Sequence, residues 1–263
     1  MQQNKKIINL QEYYNKLYKE GKEKYWNDYS DSNENLSESK KFIIDLMNRR
    51  NIQPSSIFDF GCGEGNFLSH FGTVKNRVGV DFSSVAIENA ISRYPEIKFI
   101  LGSENQIEGT FDLVTSIGII EHTDDPFFHF SKLYKATNQK GYLIIVCPNH
   151  CNTRGVIWQT LSLLFNVPMS LADRHVINYS EINEWISIND FCEFFTIGNN
   201  ISMGQGMIKD LRKRLTNALQ DAKMDNSKVD DLIYWLENNY IFFPIDKHSG
   251  WLSVFLIQKG HSL

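Results

Sequence analysis

Cysteine is scarce in this chain and carries no pairing pattern. Cys62, Cys147, Cys151 and Cys192 form no CxxC pair. Isolated thiols are the usage of a reducing compartment, so neither a disulfide framework nor a zinc site is expected. Long apolar runs are missing too: none approaches the roughly 18 residues that span a bilayer. The first twenty residues are polar and lysine-rich, with no apolar stretch before a small-residue cleavage site, so no secretory leader is expected. A basic surplus is absent, with 27 Lys and Arg against 31 Asp and Glu, which argues against a nucleic-acid footprint. There is no internal repeat and no low-complexity tract. What remains is a 263-residue chain, 42% hydrophobic, long enough for one large domain or a core domain with a smaller attachment. Its expected setting is the cytoplasm, away from membranes, as a monomer or homodimer.

Along the chain, residues 1–50 show helical patterns without a strand signal. Aromatics at Tyr13, Tyr14, Tyr18, Tyr25 and Trp26 come first, then a second helical run at Lys40–Arg50. From Ser56 the rhythm changes. Short β-branched and aromatic runs (SSIFDFG, RVGVDFS, IKFILGS, FDLVTSIGI, GYLIIVCPN) alternate with segments of helical length such as Ser83–Tyr94 and Asp125–Asn138. That alternation predicts parallel strands with crossover helices, an α/β doubly wound sheet. After Asn149 the rhythm loosens. Helical stretches at Arg154–Phe165, Tyr179–Asn189 (with Ser180 as N-cap), Met207–Met224 and Lys228–Asn239 surround a strand-like FCEFFTIGNNISM. A final strand, WLSVFLIQKG, closes the pattern.

The chemistry-bearing feature is the turn Asp59-Phe60-Gly61-Cys62-Gly63-Glu64-Gly65 after the first strand. Glycines there admit positive φ and let a ligand approach the backbone. A helix beyond them would present N–H groups to an anionic ligand group. One strand later comes Asp81, placed to accept hydrogen bonds from two ribose hydroxyls. A dinucleotide fingerprint requires Gly or Ala where this chain has Asn66. A nucleoside joined to a carboxylate therefore fits better than NAD or NADP.

DFGCGEG, GVDFS, FDLVTSIGIIEHTDDP and GYLIIVCPN, in this order and at these spacings, resemble the successive motifs of the class I S-adenosylmethionine-dependent methyltransferases, in particular the small-molecule group. The resemblance covers about residues 54–150. It implies a Rossmann-like, seven-stranded, mostly parallel sheet of order 3-2-1-4-5-7-6. It also implies S-adenosylmethionine as cofactor and S-adenosylhomocysteine as product. Asp59, Gly61 and Gly63 would line the methionine half, Asp81 would hold the ribose and Phe82 would lie against adenine. Ser103 stands where many family members carry an acid for the adenine amino group, so Glu104 or a backbone carbonyl would replace that contact. Ser116, Ile117 and Gly118 would pass the cofactor at the end of the fourth strand. The implied organisation is an N-terminal helical lid at 1–50 and a methyltransferase domain at 51–263, with cap insertions at 150–178 and 203–249.

By fold analogy those caps hang over the methyl group and place His122, His175 and His248 on the active side. A hydroxyl acceptor needs a base, for which His122 and His175 are the candidates. An amine must arrive unprotonated, helped by Glu121, Asp124, Asp173 or tyrosines. Arg174 and the run Lys209, Arg212, Lys213 and Arg214 could hold a substrate phosphate, although charges on a helix are ordinarily a solvated face. No ligand spacing points to a metal. The expectation is methyl transfer to a small polar metabolite that could carry a phosphate, with oxygen of a sugar or nucleotide-linked sugar preferred. Nitrogen of a small amine or phospho-amine is the alternative. A non-catalytic S-adenosylmethionine-binding protein is the alternative of another class.

Overall fold

The computed structural model describes residues 9–20, 36–167, 173–198, 204–239 and 248–260. Tyr25, Trp26, Pro168, the end of the expected strand at 199–203 and the Lys209 side chain lie outside these. In chain order the elements are α1 (Leu10–Glu20), α2 (Glu38–Arg49), β1 (Ser56–Phe60), α3 (Asn66–Ser69), β2 (Asn76–Asp81), α4 (Ser84–Arg93), β3 (Lys98–Leu101) and β4 (Phe111–Ile117). Then come α5 (Pro126–Ala136), β5 (Thr137–Pro148), α6 (Thr153–Phe165), α7 (Tyr179–Trp185), β6 (Phe191–Ile197), α8 (Gly204–Asp221), α9 (Val229–Asn239) and β7 (Leu252–Gln258). The strands form one sheet of order β3-β2-β1-β4-β5-β7-β6. Pairing is parallel from β3 through β5, and β7 runs antiparallel between β5 and β6.

Successive strand residues point to opposite faces, and both faces are covered. Ile57, Leu113, Ile144, Val146 and Leu256 join one core, into which α2 sends Ile43, Leu46 and Met47. Phe58, Val114, Leu143, Ile145 and Phe255 join the other, against Phe130 and Leu133 of α5. The spacing of Ile43, Leu46 and Met47 makes one apolar stripe on α2. Each buried side chain of that kind contributes about 1.5–3 kcal/mol, so α2 is part of the sheet's support. The loops after β5 and β6 supply α6, α8 and α9, which gather around a third core of Trp158, Leu211, Leu215, Ile233 and Leu236.

Several boundaries differ from those read in the sequence. The helix after the glycine turn is only the four residues of α3, too short to stand as an anion-binding N-terminus. α7 is capped by Asn178, which with Glu181 forms a reciprocal capping box, and ends at Trp185; Ser180 lies inside the first turn. β5 begins at Thr137, four residues before the apolar run, because Thr137 already pairs with Phe111 across an irregularity in the ladder. Its polar Asn138-Gln139-Lys140 start disguised it.

Candidate active site

The order in which strands are added reverses at β1, whose parallel neighbours are β2 on one side and β4 on the other. Such a switch point leaves a crevice beyond the carboxyl ends of the strands. Here it opens into a cleft of about 1070 Å³, at the upper end of what one small ligand occupies. The cleft therefore has room for a cofactor and an acceptor together.

Its floor on one side is the glycine turn. Gly61 N–H and Cys62 N–H both donate to Val80 O, at 2.8 and 3.1 Å, which ties the turn to the end of β2. Gly61 and Gly63 have φ of +75° and +53°, a region that side-chain-bearing residues rarely adopt. A Cβ on Gly61 would lie 2.2 Å from Ile119 Cδ1, and one on Gly63 would lie 2.8 Å from Tyr18 Oη. Asp81 is pinned by accepting from Gly63 N–H at 2.9 Å on one oxygen and from Ser83 N–H at 2.8 Å on the other. Asp59 accepts from the Thr115 hydroxyl at 2.6 Å.

Helix α1 lies across this floor. Gln11 donates to Phe82 O at 2.8 Å, the Ser83 hydroxyl donates to Asn15 at 2.7 Å, and Tyr14 meets the Phe82 ring edge-on at 5.5 Å. Burial, and then the charge of Asp81, raises the Tyr18 phenol well above its ordinary range. Farther along, Ser103 accepts from Asn105 N–H and forms a capping box with Gln106, so its hydroxyl serves the local turn. Glu104 faces buried His129 across 3.9 Å, and that imidazole holds the carboxyl below its usual value.

At the other end, β4 runs into a tight turn at Ile120–His122. The carbonyl of Glu121 accepts from Arg174 N–H at 2.8 Å and from His175 N–H at 3.1 Å. These two bonds dock the segment after the first cap against the turn and bring Asp173 to His122. His122 Nδ1 then lies 3.2 Å from Asp173 Oδ1, while Nε2 lies 3.3 Å from Tyr14 Oη. Glu121 is 3% exposed, and its Oε2 has no hydrogen-bond partner among the described residues. Burial, and then the charge of Asp173, raises the Glu121 carboxyl well above its ordinary range. The same two causes, in the same order, raise the Tyr14 phenol. Arg174 is committed to an ion pair with Asp124. Glu121, His122 and Asp173 can each offer a ligand atom within 4.8 Å of the others, a cluster no spacing in the sequence announced. Because the two ring nitrogens of His122 face different partners, the arrangement suits proton relay better than chelation.

The cleft is lined by Asp59, Gly61, Gly63, Asp81 and Phe82, by Ser103 and Glu104, and by Ile117, Gly118 and His122. Several expected residues are not at its wall. Ser116 is fully buried within the sheet and does not line the cleft. His175 is half-buried, and its N–H is bonded to the Glu121 carbonyl. His248 also stands apart, stacked on Phe194 at 5.6 Å. Residues that sequence reading did not single out include Lys40, Arg154 and Trp251, which come to the cleft from α2, α6 and the last loop. No local pattern marks them.

The family model for the methyltransferase domain matches residues 33–196. The chain belongs to this methyltransferase family. No curated protein matches it in sequence. Among solved structures, plantazolicin methyltransferase BpumL is 16% identical, with a TM-score of 0.53 over 95% of this chain and 96% of that one. Coclaurine N-methyltransferase is 18% identical, with a TM-score of 0.52 over 88% and 75% of the two chains. Haemonchus contortus phosphoethanolamine N-methyltransferase 2 is also 18% identical, with a TM-score of 0.51 over 84% of this chain and 53% of that one. At these identities the likeness is one of fold, and all three were solved with S-adenosylhomocysteine. The chain is an S-adenosylmethionine-dependent methyltransferase. No helix among the described residues is long and apolar enough to cross a membrane.

Proposed function

We propose that the chain methylates an amine nitrogen of a small polar metabolite, with His122 as proton acceptor and Glu121 as the group that receives the ammonium. The observation that carries this reading is Glu121 itself: a buried carboxyl on the cleft wall whose Oε2 has no partner among the described residues. Leaving such an atom unsatisfied costs roughly 1–3 kcal/mol, and an acceptor N–H would satisfy it. The amine preference revises the sugar hydroxyl expected from sequence, because acids crowd the reacting end of the cleft. Two of the solved relatives are named as N-methyltransferases, which agrees with the choice without deciding it.

The cofactor fits the first half of the cleft. Gly61 and Gly63 would admit its methionine part, Asp59 would border it, and Asp81 would hold the ribose hydroxyls. Phe82 would lie against adenine, with Ser103 and Glu104 at its edge and Ile117 along one side. When bound, the cofactor would supply a methyl carbon activated by its sulfonium, with S-adenosylhomocysteine as the leaving group. The protein's task is then alignment and proton removal. His122 Nε2 takes the acceptor's proton, and Asp173 at Nδ1 stabilises the imidazolium and fixes the ring. Tyr14 carries α1 over the site and excludes water. Within the expected lid of residues 1–50, we assign that role to α1, and we assign acceptor binding to the caps at 150–178 and 203–249.

A sugar or other hydroxyl acceptor stays as the second reading, favoured by the same Tyr14–His122–Asp173 alignment. The test is a methyl-transfer screen of amines against alcohols, with calorimetry of S-adenosylhomocysteine as a control. Amine acceptors should react, and Glu121→Gln should raise their KM about tenfold or more, the loss expected for one charge-assisted hydrogen bond. Activity confined to hydroxyl acceptors would sink the amine reading.

A further inference from the structure

Where the wall of the cleft passes from β3 toward α5, a buried imidazole stands behind a carboxylate. Glu104 lines the cleft, together with Gly102 and Ser103 before it. His129 lies behind that wall, 1% exposed, and neither ring nitrogen has a hydrogen-bond partner among the described residues. Its Nδ1 is 3.9 Å from Glu104 Oε2, just beyond hydrogen-bond reach.

Both partners are held from behind. Gly102 N–H donates to Asp81 O at 3.0 Å, which sets the exit of β3 beside the residue assigned to the ribose. Gln106 Oε1 accepts from Ser103 N–H at 2.7 Å and closes the tight turn at Glu104–Gln106. A Cβ on Gly102 would lie 2.5 Å from that same oxygen, so the turn packs closely on the strand exit. The backbone of Glu104 is thus fixed, while its side chain, 26% exposed, can still rotate. On the other side, Asp125 caps α5 by accepting from Phe128 N–H at 2.9 Å, and Pro126 opens the helix. His129 shares the buried stripe of α5 with Phe130, Leu133 and Ala136. Its ring meets Phe60, the last residue of β1, edge-on at 4.5 Å. The imidazole is therefore locked, and the carboxylate is the partner that moves.

Burying an imidazole is costly unless a polar partner is supplied, and the Glu104 carboxylate is the group facing Nδ1. Contact with the imidazole holds the Glu104 carboxyl below its usual value, against the opposing effect of burial. An ionised carboxylate accepts hydrogen bonds and donates none. It suits the exocyclic amino group of adenine and repels a base that carries a carbonyl oxygen there. The Ser103 hydroxyl is engaged in the turn, so an acid serving the base comes one residue later and takes its direction from α5.

We propose that His129 is a positioning residue for adenine recognition: its Nδ1–H holds one oxygen of Glu104 and aims the other at the exocyclic amino group of the cofactor's base. This rests on the cofactor placement above, with Glu104 at the edge of adenine, and assigns the group that makes that contact directional. The test is calorimetry with S-adenosylhomocysteine and with S-inosylhomocysteine, whose base has a carbonyl in place of the amino group. The parent should prefer the adenine form at least about tenfold, the worth of one charge-assisted hydrogen bond. Glu104→Gln should erase the preference, because an amide pairs with either base. His129→Leu should erase it to the same degree. His129→Asn, which keeps a donor near the place of Nδ1, should retain most of it. Adding Glu104→Gln to His129→Leu should cost nothing further, since His129 acts through Glu104. If His129→Leu keeps the parent's preference, or its loss adds to that of Glu104→Gln, the positioning role is wrong and the placement of Glu104 stands. If Glu104→Gln keeps the preference while S-adenosylhomocysteine binds, the placement of Glu104 at adenine fails and the positioning role falls with it. A second measurement needs no change in the core. In the parent loaded with S-adenosylhomocysteine, the imidazole nitrogen resonances of His129 should show Nδ1 bearing a proton; an unprotonated Nδ1 overturns the proposal even where His129→Leu does not fold.

Discussion

The two halves of the cleft are built in opposite ways. The half proposed for the cofactor comes from short contiguous segments at strand ends, 59–64, 81–82, 102–104 and 117–119, and is held largely by hydrogen bonds such as Gly61 N–H to Val80 O and Gly63 N–H to Asp81. The acceptor half draws Tyr14, Glu121, His122, Arg154, Asp173 and Arg214 from five separate stretches and relies on side chains. A backbone cradle accepts one shape and tolerates few changes. A side-chain cradle can be altered one residue at a time while the fold persists. The cofactor half should therefore respond to mutation in binding, and the acceptor half in turnover and acceptor choice.

The largest expected effect is on turnover. His122→Asn should lower kcat by about 100- to 10,000-fold, the range for losing a general base, with S-adenosylhomocysteine affinity within about twofold by calorimetry. A parallel loss of affinity would dissolve the division into halves. Next, Asp81→Ala strips Gly63 N–H and Ser83 N–H of their acceptor. The two ribose hydroxyls proposed to bond Asp81 would lose their acceptor too, and at roughly 1–3 kcal/mol for each group left unsatisfied, S-adenosylhomocysteine should bind about 100-fold more weakly.

Glu121→Gln tests the acceptor half in the free protein. A carboxyl whose value is raised by folding contributes its stability below its unfolded value, and that contribution is lost as pH rises through the folded one. The variant lacks this loss. Its Tm relative to the parent should climb from pH 5 to pH 8, and a pH-independent difference would show that Glu121 is not buried as a neutral acid. His150 has the opposite sign. With its value lowered from 6.5 to about 4, the folded chain resists a proton that the unfolded chain accepts, so stability falls as pH drops through that window. His150→Gln should flatten that acid limb in thermal melts. The smallest effect belongs to Arg212→Gln, outside both halves. Its pair with Asp230 is solvent-exposed, and removing it should change unfolding free energy by no more than about 1 kcal/mol.

Legibility in the sequence follows the same division. Strand–turn–helix alternation exposed β1 through β5 because parallel strands buried on both faces read as apolar runs. Asp59, Gly61, Gly63 and Asp81 were readable because turn chemistry is local and the residues stand together. Ser116 was read as a cleft residue, but it is buried within the sheet together with Val114 and Thr115, and motif matching carries no signal of where the strand leaves the core. His175 was paired with His122 as a candidate base. The docking bonds to Glu121 O instead bring its neighbour Asp173 into contact. Of the aromatics near the start, Tyr13, Tyr14 and Tyr18 reach the cleft because α1 packs against the β2 end, a contact no periodicity encodes.

By itself the sequence determined the sheet, its switch point and the glycine turn to which cofactor binding is assigned by proposal. These arise from local propensities and from burial on two faces, both written into short runs of residues. Only the tertiary structure decided what surrounds the methyl end: a buried Glu121, a His122 held between Tyr14 and Asp173, and cations brought in from α6 and α8. Those groups lie far apart in the chain. Loop docking and cap packing bring them together, and low solvent access there decides which of them hold their protons.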